Sequence, residues 1–201
     1  MSSSISLISI VEGHGEEEAL PVLLRLVAAH IDPTLYVDMR RPLRVPRTKL
    51  VRPGELERHI QLAARKVGAD GRILVVIDAD DDCPAHLGPA LLERAQRARP
   101  DMITSVVLAR SEFESWLLAG ASGIAGERGL SDELQPPADP ESIRDAKGWL
   151  SARMPDSTYK ETRDQAALAS RFDMAAARDA SAPHFSDSFD KFWRECEKLF
   201  R

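Results

Sequence analysis

The chain has 201 residues, 43% hydrophobic and 29% charged, enough to bury the core of one α/β domain and too few for two full ones. Its net charge of −5, from 27 basic and 32 acidic side chains, argues against nucleic-acid binding by bulk electrostatics and leaves that role to a local patch. Two cysteines, Cys83 and Cys196, can build neither a disulfide framework nor a cysteine zinc site, and no apolar run approaches a membrane span.

The opening MSSSISLISIVEG lacks the basic n-region of a secretory signal, so a cytoplasmic location is expected. Residues 5–11 read as a first strand, an apolar run too short for a lone helix that ends at a glycine. EEEALPVLLRLVAAHI reads as a helix with acids in its first turn, where Pro21 is tolerable only near the start. Leu35 and Val37 alternate in a second strand. Leu56, Ile60, Ala63, Ala64 and Val67 have helical spacing, which predicts an amphipathic helix over 54–67 closed by Gly68. A strand over 73–77, a helix from Pro84 to just before Pro100 and a strand over 103–109 follow. Alternating strands and helices predict an α/β fold, with about four strands in a mostly parallel, Rossmann-like sheet flanked by helices.

Beyond Arg110 the pattern changes. SEFESWLLAG opens a helix, residues 120–140 read as a long loop, and helical character resumes over 141–154. In FSDSFDKFWRECEKLF, Phe185, Phe189, Phe192, Trp193, Cys196 and Phe200 mark one face of a C-terminal helix. Trp116 and Trp193 are expected to pack in the core.

Acids gather where two of these strands end. In EGHGEEE, Glu12 and Glu16 to Glu18 would repel a bare phosphate, and the loop has neither the Lys-Ser/Thr of a P-loop nor the third glycine of a dinucleotide fingerprint. A divalent cation between the acids and the phosphate reverses that objection. Glu17 and Glu18 also read simply as acids at a helix N-terminus, and His14 as a loop residue. In DADDD, residues two apart on an extended strand point the same way with Cα atoms about 6.5 Å apart, so Asp78 and Asp80 can share a site. Such all-oxygen donors suit magnesium, manganese or calcium, and no His/Cys grouping competes for zinc.

The basic side chains leave alternatives open. Arg40, Arg41, Arg44, Arg47, Lys49 and Arg52 follow one another with no acid between them, either as a guide for a nucleic-acid strand or as a solvated loop. Arg110 can bind a phosphate or neutralise Glu112 and Glu114. Lys160, in TYKETR, can stabilise charge in a phosphoryl transition state or simply lie exposed.

A glutamate after the first strand, Glu12 in VEGHGE, and a D-x-D after a later one, Asp78 and Asp80 in VVIDADDD, together resemble the Toprim domain, the topoisomerase–primase module. The resemblance covers about the first 115 residues and extends to EFESWLLA, and more loosely to YKE and SFDKFW. It divides the chain into a Toprim-like core, 1–118, and a long loop with a helical extension packed on the same domain, 119–201. Stand-alone Toprim-like proteins of this kind are similar to the nuclease half of overcoming-lysogenization-defect proteins, and are often encoded beside an ABC-type ATPase.

The resemblance implies a magnesium- or manganese-dependent nuclease, with Glu12 as ligand or general acid/base. It adds Glu16, Glu112 and Glu114 to Asp78 and Asp80 as metal ligands, and it implies nucleic acid as partner. The primase and topoisomerase branches are excluded, because two cysteines cannot form the zinc module and a second, DNA-clamping domain has no room beside Tyr36 or Tyr159. Two other readings stand beside the nuclease. One is a non-catalytic subunit that docks an ATPase through its aromatic C-terminal helix or acidic surface; the other is a D-x-D sugar transferase, which has no need of Glu12.

Overall fold

The computed structural model describes residues 4–201. Strand β1 (Ser4–Val11) leads into helix α1 (His14–Ile31), strand β2 (Tyr36–Arg44), the one-turn helix α2 (Arg47–Leu50) and helix α3 (Glu55–Val67). Strand β3 (Arg72–Asp78), helix α4 (Pro84–Ala98) and strand β4 (Ile103–Ala109) complete an all-parallel sheet of order β2-β1-β3-β4. The expected α/β class is the observed one.

Strands β1, β3 and β4 are largely apolar on both faces because both faces are covered, while the edge strand β2 is charged and largely exposed or half-buried. Leu7, Leu74, Val76 and Val107 pack with α1 and the C-terminal half of the chain, whereas Ile8, Ile10, Ile73, Val75, Ile77, Val106 and Leu108 pack with α3 and α4. Period-two alternation thus assigns each residue to a layer. Asp78 continues the series of Leu74 and Val76, so its carboxylate emerges on the side of α1.

Several boundaries differ from those expected. Helix α1 begins at His14, which leaves Pro21 two turns inside it rather than near its start. The lost N–H is offset by burial of Leu20, Leu23, Leu24 and Val27 beneath the helix. The second strand is much longer than the Leu35–Val37 alternation suggested, because pairing with β1 carries it to Arg44 past a register shift between Ile8 and Ile10. As an edge strand it tolerates Pro42. The segment from Arg40 onward is therefore strand and helical turn, not loop.

After β4 come α5 (Glu114–Ala119), α6 (Ala146–Ser151), α7 (Ala166–Ala169), α8 (Met174–Ala177) and α9 (Asp187–Leu199). Residues 120–140 hold only short 3-10 turns, yet Ile124, Leu130 and Leu134 within them are buried. The helix expected over 141–154 shrinks to α6, because Pro140–Ser142 is a separate 3-10 turn and Asp145 caps α6 by accepting from Gly148 N at 2.8 Å. Helix α9 is capped by Ser186 and turns Phe189, Phe192, Trp193 and Cys196 inward, while Phe185 lies just before it. That aromatic face is buried, so it is not available to dock a partner. These residues share one core with β1 and α1, so the segment after residue 118 packs directly on the sheet.

Trp116 is the centre of this packing. Its ring lies 5.0 Å from Phe192, 5.1 Å from Phe113 and 5.7 Å from Phe189. Its Nε1 donates to Ser188 Oγ at 2.7 Å, and Ser188 in turn donates from N to Glu141 Oε1 at 2.9 Å. Trp116→Ala is expected to cost about 3–5 kcal/mol, read as a lowered urea midpoint with an unchanged slope.

Candidate functional site

Because β2 and β3 flank β1 on opposite sides, the connections diverge at β1 and open a crevice at its carboxyl end and that of β3. Glu12 follows β1, and Asp78 is the last residue of β3. Glu12 Oε2 accepts from Asp78 N at 3.3 Å, and Asp78 Oδ1 accepts from Phe113 N at 2.8 Å, so three successive strand ends are tied through carboxylates. Above them lies a cavity of about 460 Å³ lined by Glu12, Asp78, Asp80, Asp81, Ser111, Glu112, Arg144 and Lys147.

Two residues at its rim hold left-handed backbone: Asp80 at φ 51° and Ser111 at φ 61°. Their loops are tied by Asp80 N donating to Ser111 O at 3.0 Å, next to Ala79 N donating to Ala109 O at 2.8 Å. Non-glycine residues adopt this conformation at a cost, and such strain gathers at sites where side-chain aim matters. Asp80 therefore reaches the cavity by a turn, because β3 ends at Asp78 and the extended geometry expected for D-x-D does not continue. Its carboxylate is exposed and lies 3.5 Å from Arg47 Nη1.

Behind the cavity is a buried polar layer. Glu114 is fully buried; its Oε1 accepts from Tyr159 Oη at 2.9 Å and from Gln165 Nε2 at 3.0 Å, while its Oε2 has no hydrogen-bond partner among the described residues. Lys147 Nζ stands 3.9 Å from that oxygen, 3.5 Å from Glu112 Oε2 and 2.5 Å from Glu161 Oε1. Glu112 also accepts from Ala146 N at 2.6 Å, bracing the helix that carries Lys147. Buried Glu16 accepts from Gly13 N. Gly15 leaves room for this layer, since a Cβ on it would fall 2.9 Å from Glu161 Cβ and would displace the buried Gln165 amide.

Crowding of like charge governs the protons. Burial, then the Glu16, Glu12 and Glu114 carboxylates, push Asp78 well above its usual range. Burial raises Glu114 to about 8 and Glu16 to about 7, and the latter also feels Glu12 and Glu161. Glu12 is raised mainly by burial, with Asp80 adding to the shift. For Lys147, burial works against the charge, but Glu114, Glu161 and Glu112 outweigh it and hold the pKa above the ordinary lysine value.

Of the residues singled out in the sequence, Glu12, Asp78, Asp80 and Glu112 line the cavity, with Glu16 and Glu114 buried behind it. Lys160 does not join them. It is exposed, and only its backbone is engaged, N donating to Asp164 Oδ2 at 2.9 Å. Its neighbours Tyr159 and Glu161 turn inward instead, and the lysine at the site is Lys147. The sequence carries no local signal for Lys147, because helical character was expected over 141–154 and only the structure starts the helix at Ala146, one residue before it.

The basic run does not form a patch at the cavity. Arg47 is an internal brace that donates from Nε to Asp78 O at 2.9 Å and from Nη2 to Ala79 O at 3.2 Å, and pairs with Asp82. Arg40 pairs with Asp38 at 3.0 Å, Arg41 and Arg44 with Glu17 at 3.7 Å, and Lys49 with Glu55 at 3.7 Å. Arg52 contributes its carbonyl to Arg94. Arg110, beside the cavity, has no ion pair or hydrogen bond from its guanidinium among the described residues.

A family model described as a domain of unknown function, DUF4276, matches residues 11–192. The chain belongs to that family. The DUF4276 match spans every carboxylate above, together with Lys147, Tyr159 and Gln165. No curated protein and no solved structure gives a significant match. No helix among the described residues is long and apolar enough to cross a membrane.

The donors fit a hard divalent ion by chemistry: they are all oxygen, Glu114 Oε2 and Gln165 Oε1 are buried without partners, and the carboxylates repel one another. Their present rotamers do not close on one point, for among the described residues no three Asp, Glu, His or Cys side chains are grouped to hold an ion. Filling the site calls for side-chain rotation, and exposed Asp80 has the freedom for it.

Raised carboxyl pKa values fix the sign of a pH effect. Between the unfolded value near 4.5 and the folded values of about 7 and 8, the native state holds protons that the unfolded chain releases, so stability falls as pH rises. In chelator, the melting temperature is expected to drop by on the order of 5 °C from pH 5.5 to 8.5. Glu114→Gln should flatten that slope.

Proposed function

We propose that the chain is a divalent-metal-dependent phosphodiester hydrolase acting on nucleic acid inside the cell, in the manner of Toprim nucleases. The observation that supports this most is the convergence of Glu12, Asp78, Asp80 and Glu112, from three successive strand ends, on one cavity with an ammonium among them. A magnesium or manganese ion held by Glu12, Asp78 and Asp80 would supply Lewis-acid neutralisation at the phosphoryl oxygens. The chain's own residues supply the rest. Glu12, its pKa raised by burial, is suited to move a proton to or from the reacting oxygen. Lys147 offers a fixed positive charge to the phosphorane-like charge that develops, and Glu114, Tyr159 and Gln165 hold it in place.

One observation favours a second reading, a non-catalytic subunit that docks an ATPase: among the described residues no three donors are grouped to hold an ion. Calorimetry separates the two. The hydrolase reading expects manganese uptake that Asp78→Asn abolishes, whereas the docking reading expects none at millimolar metal and an ATPase that co-purifies.

Cleavage of labelled oligonucleotides in magnesium or manganese is expected to fall about 100-fold or more in Glu12→Gln, Asp78→Asn and Lys147→Met, with folding retained by circular dichroism. Lys160→Met should stay within about twofold. Undiminished cleavage in both Glu12→Gln and Asp78→Asn would sink the assignment.

A further inference from the structure

A second cavity of about 900 Å³ opens beside the acidic one and shares Asp80, Asp81, Ser111 and Arg144 with it. It wraps the β4 edge between α4 and the start of α9. Its size lies within the range of about 300–1,000 Å³ common for ligand sites. We propose that this groove is the path of a single polynucleotide strand, holding the nucleotides next to the phosphate at the acidic site. The inference rests on the hydrolase reading and adds to it the side of approach and the strandedness of the substrate.

Of the groove's carboxylates, Asp80 and Asp82 pair with Arg47, Asp81 pairs with Arg144, Glu141 accepts from Ser186 and Ser188, and Asp187 starts α9. The groove has an apolar strip for a base face and cations for phosphates. Pro84, Pro89, Leu92 and Leu108 supply the first. Arg110 and Arg144 supply the second at the passage between the cavities. Arg110 is free of any side-chain partner among the described residues, and Arg144 is paired only with the exposed Asp81, an exchange that a phosphate can win. The opposite edge offers no such path. There five of the six cations of the 40–52 run stand within 4 Å of an acid, Arg41 and Arg44 sharing Glu17.

Helix α4 carries an independent sign that the space is kept open. Gly88 and Pro89 stand in its interior, where both residue types weaken a helix, and both line the groove. Gly88 has ordinary helical backbone, and a Cβ there would meet only Leu108 Cδ1, at 3.8 Å, apart from the helix itself. Neither clash nor backbone conformation demands a glycine at this position, but an open groove does.

The test is fluorescence anisotropy on full-length Asp78→Asn protein, which is not expected to cut, with fluorescein-labelled strands of about 12 nucleotides of DNA and of RNA, and the matching duplexes. Single strands are expected to bind more tightly than duplexes. Adding Arg110→Glu or Gly88→Leu should weaken that binding about tenfold or more, while Arg41→Glu leaves it within about twofold. Gly88→Leu should melt no lower than its parent, which separates a blocked groove from a damaged fold. Binding lost in Arg41→Glu but kept in Arg110→Glu and Gly88→Leu overturns the proposal, as does equal affinity for duplex or no affinity for any strand. If the wild-type protein cuts strands while neither groove variant weakens binding, the groove fails and the hydrolase reading stands. If the groove variants lose binding but no cleavage occurs, the reverse holds.

Discussion

Lys147 lies within 4 Å of Glu112, Glu114 and Glu161, and this one ammonium holds together an acidic centre that would otherwise repel itself. Asp78, Glu16 and Glu114 are buried, and burying carboxylates side by side costs free energy unless protons or cations compensate. The cations nearby compensate incompletely, as the raised carboxyl pKa values register. The site is thus poised to take up protons as the pH falls.

That constraint explains what the second half of the chain is for. The four-stranded sheet brings Glu12 and Asp78 to one edge, but the groups that manage their charge come from the segment after residue 140. Helix α6 delivers Lys147, and Tyr159 and Gln165 close on Glu114. The segment stays in place because Trp116, Phe189 and Phe192 join α5 to α9, and Glu141 accepts from Ser188 beside them. Loss of packing at Trp116 would therefore loosen the site as well as the fold.

Strain and bracing at the rim work toward the same end. Asp80 and Ser111 hold left-handed backbone within two residues of the strand ends, and their loops are stitched by a backbone hydrogen bond. Arg47 braces the carbonyls of Asp78 and Ala79 from the other side. A cation that looks like surface charge in the sequence thus spends its donors on holding the acid loop.

The element order and the position of Glu12 and Asp78 at strand ends were legible in the sequence, because apolar runs and helical spacing are local properties and acids after apolar runs stand out. Strand β2 was read too short, since its far end is held by pairing with β1 rather than by its own alternation. The identity of the site lysine, the inward turn of Tyr159 and Glu161 instead of Lys160, and the neutralisation of the 40–52 cations were not legible. Each depends on which acid lies opposite in space. By itself the sequence determined a parallel α/β sheet with carboxylates at its carboxyl edge; only the tertiary structure decided which cations meet them, because charge pairing between segments some thirty residues or more apart in the chain leaves no periodicity to read.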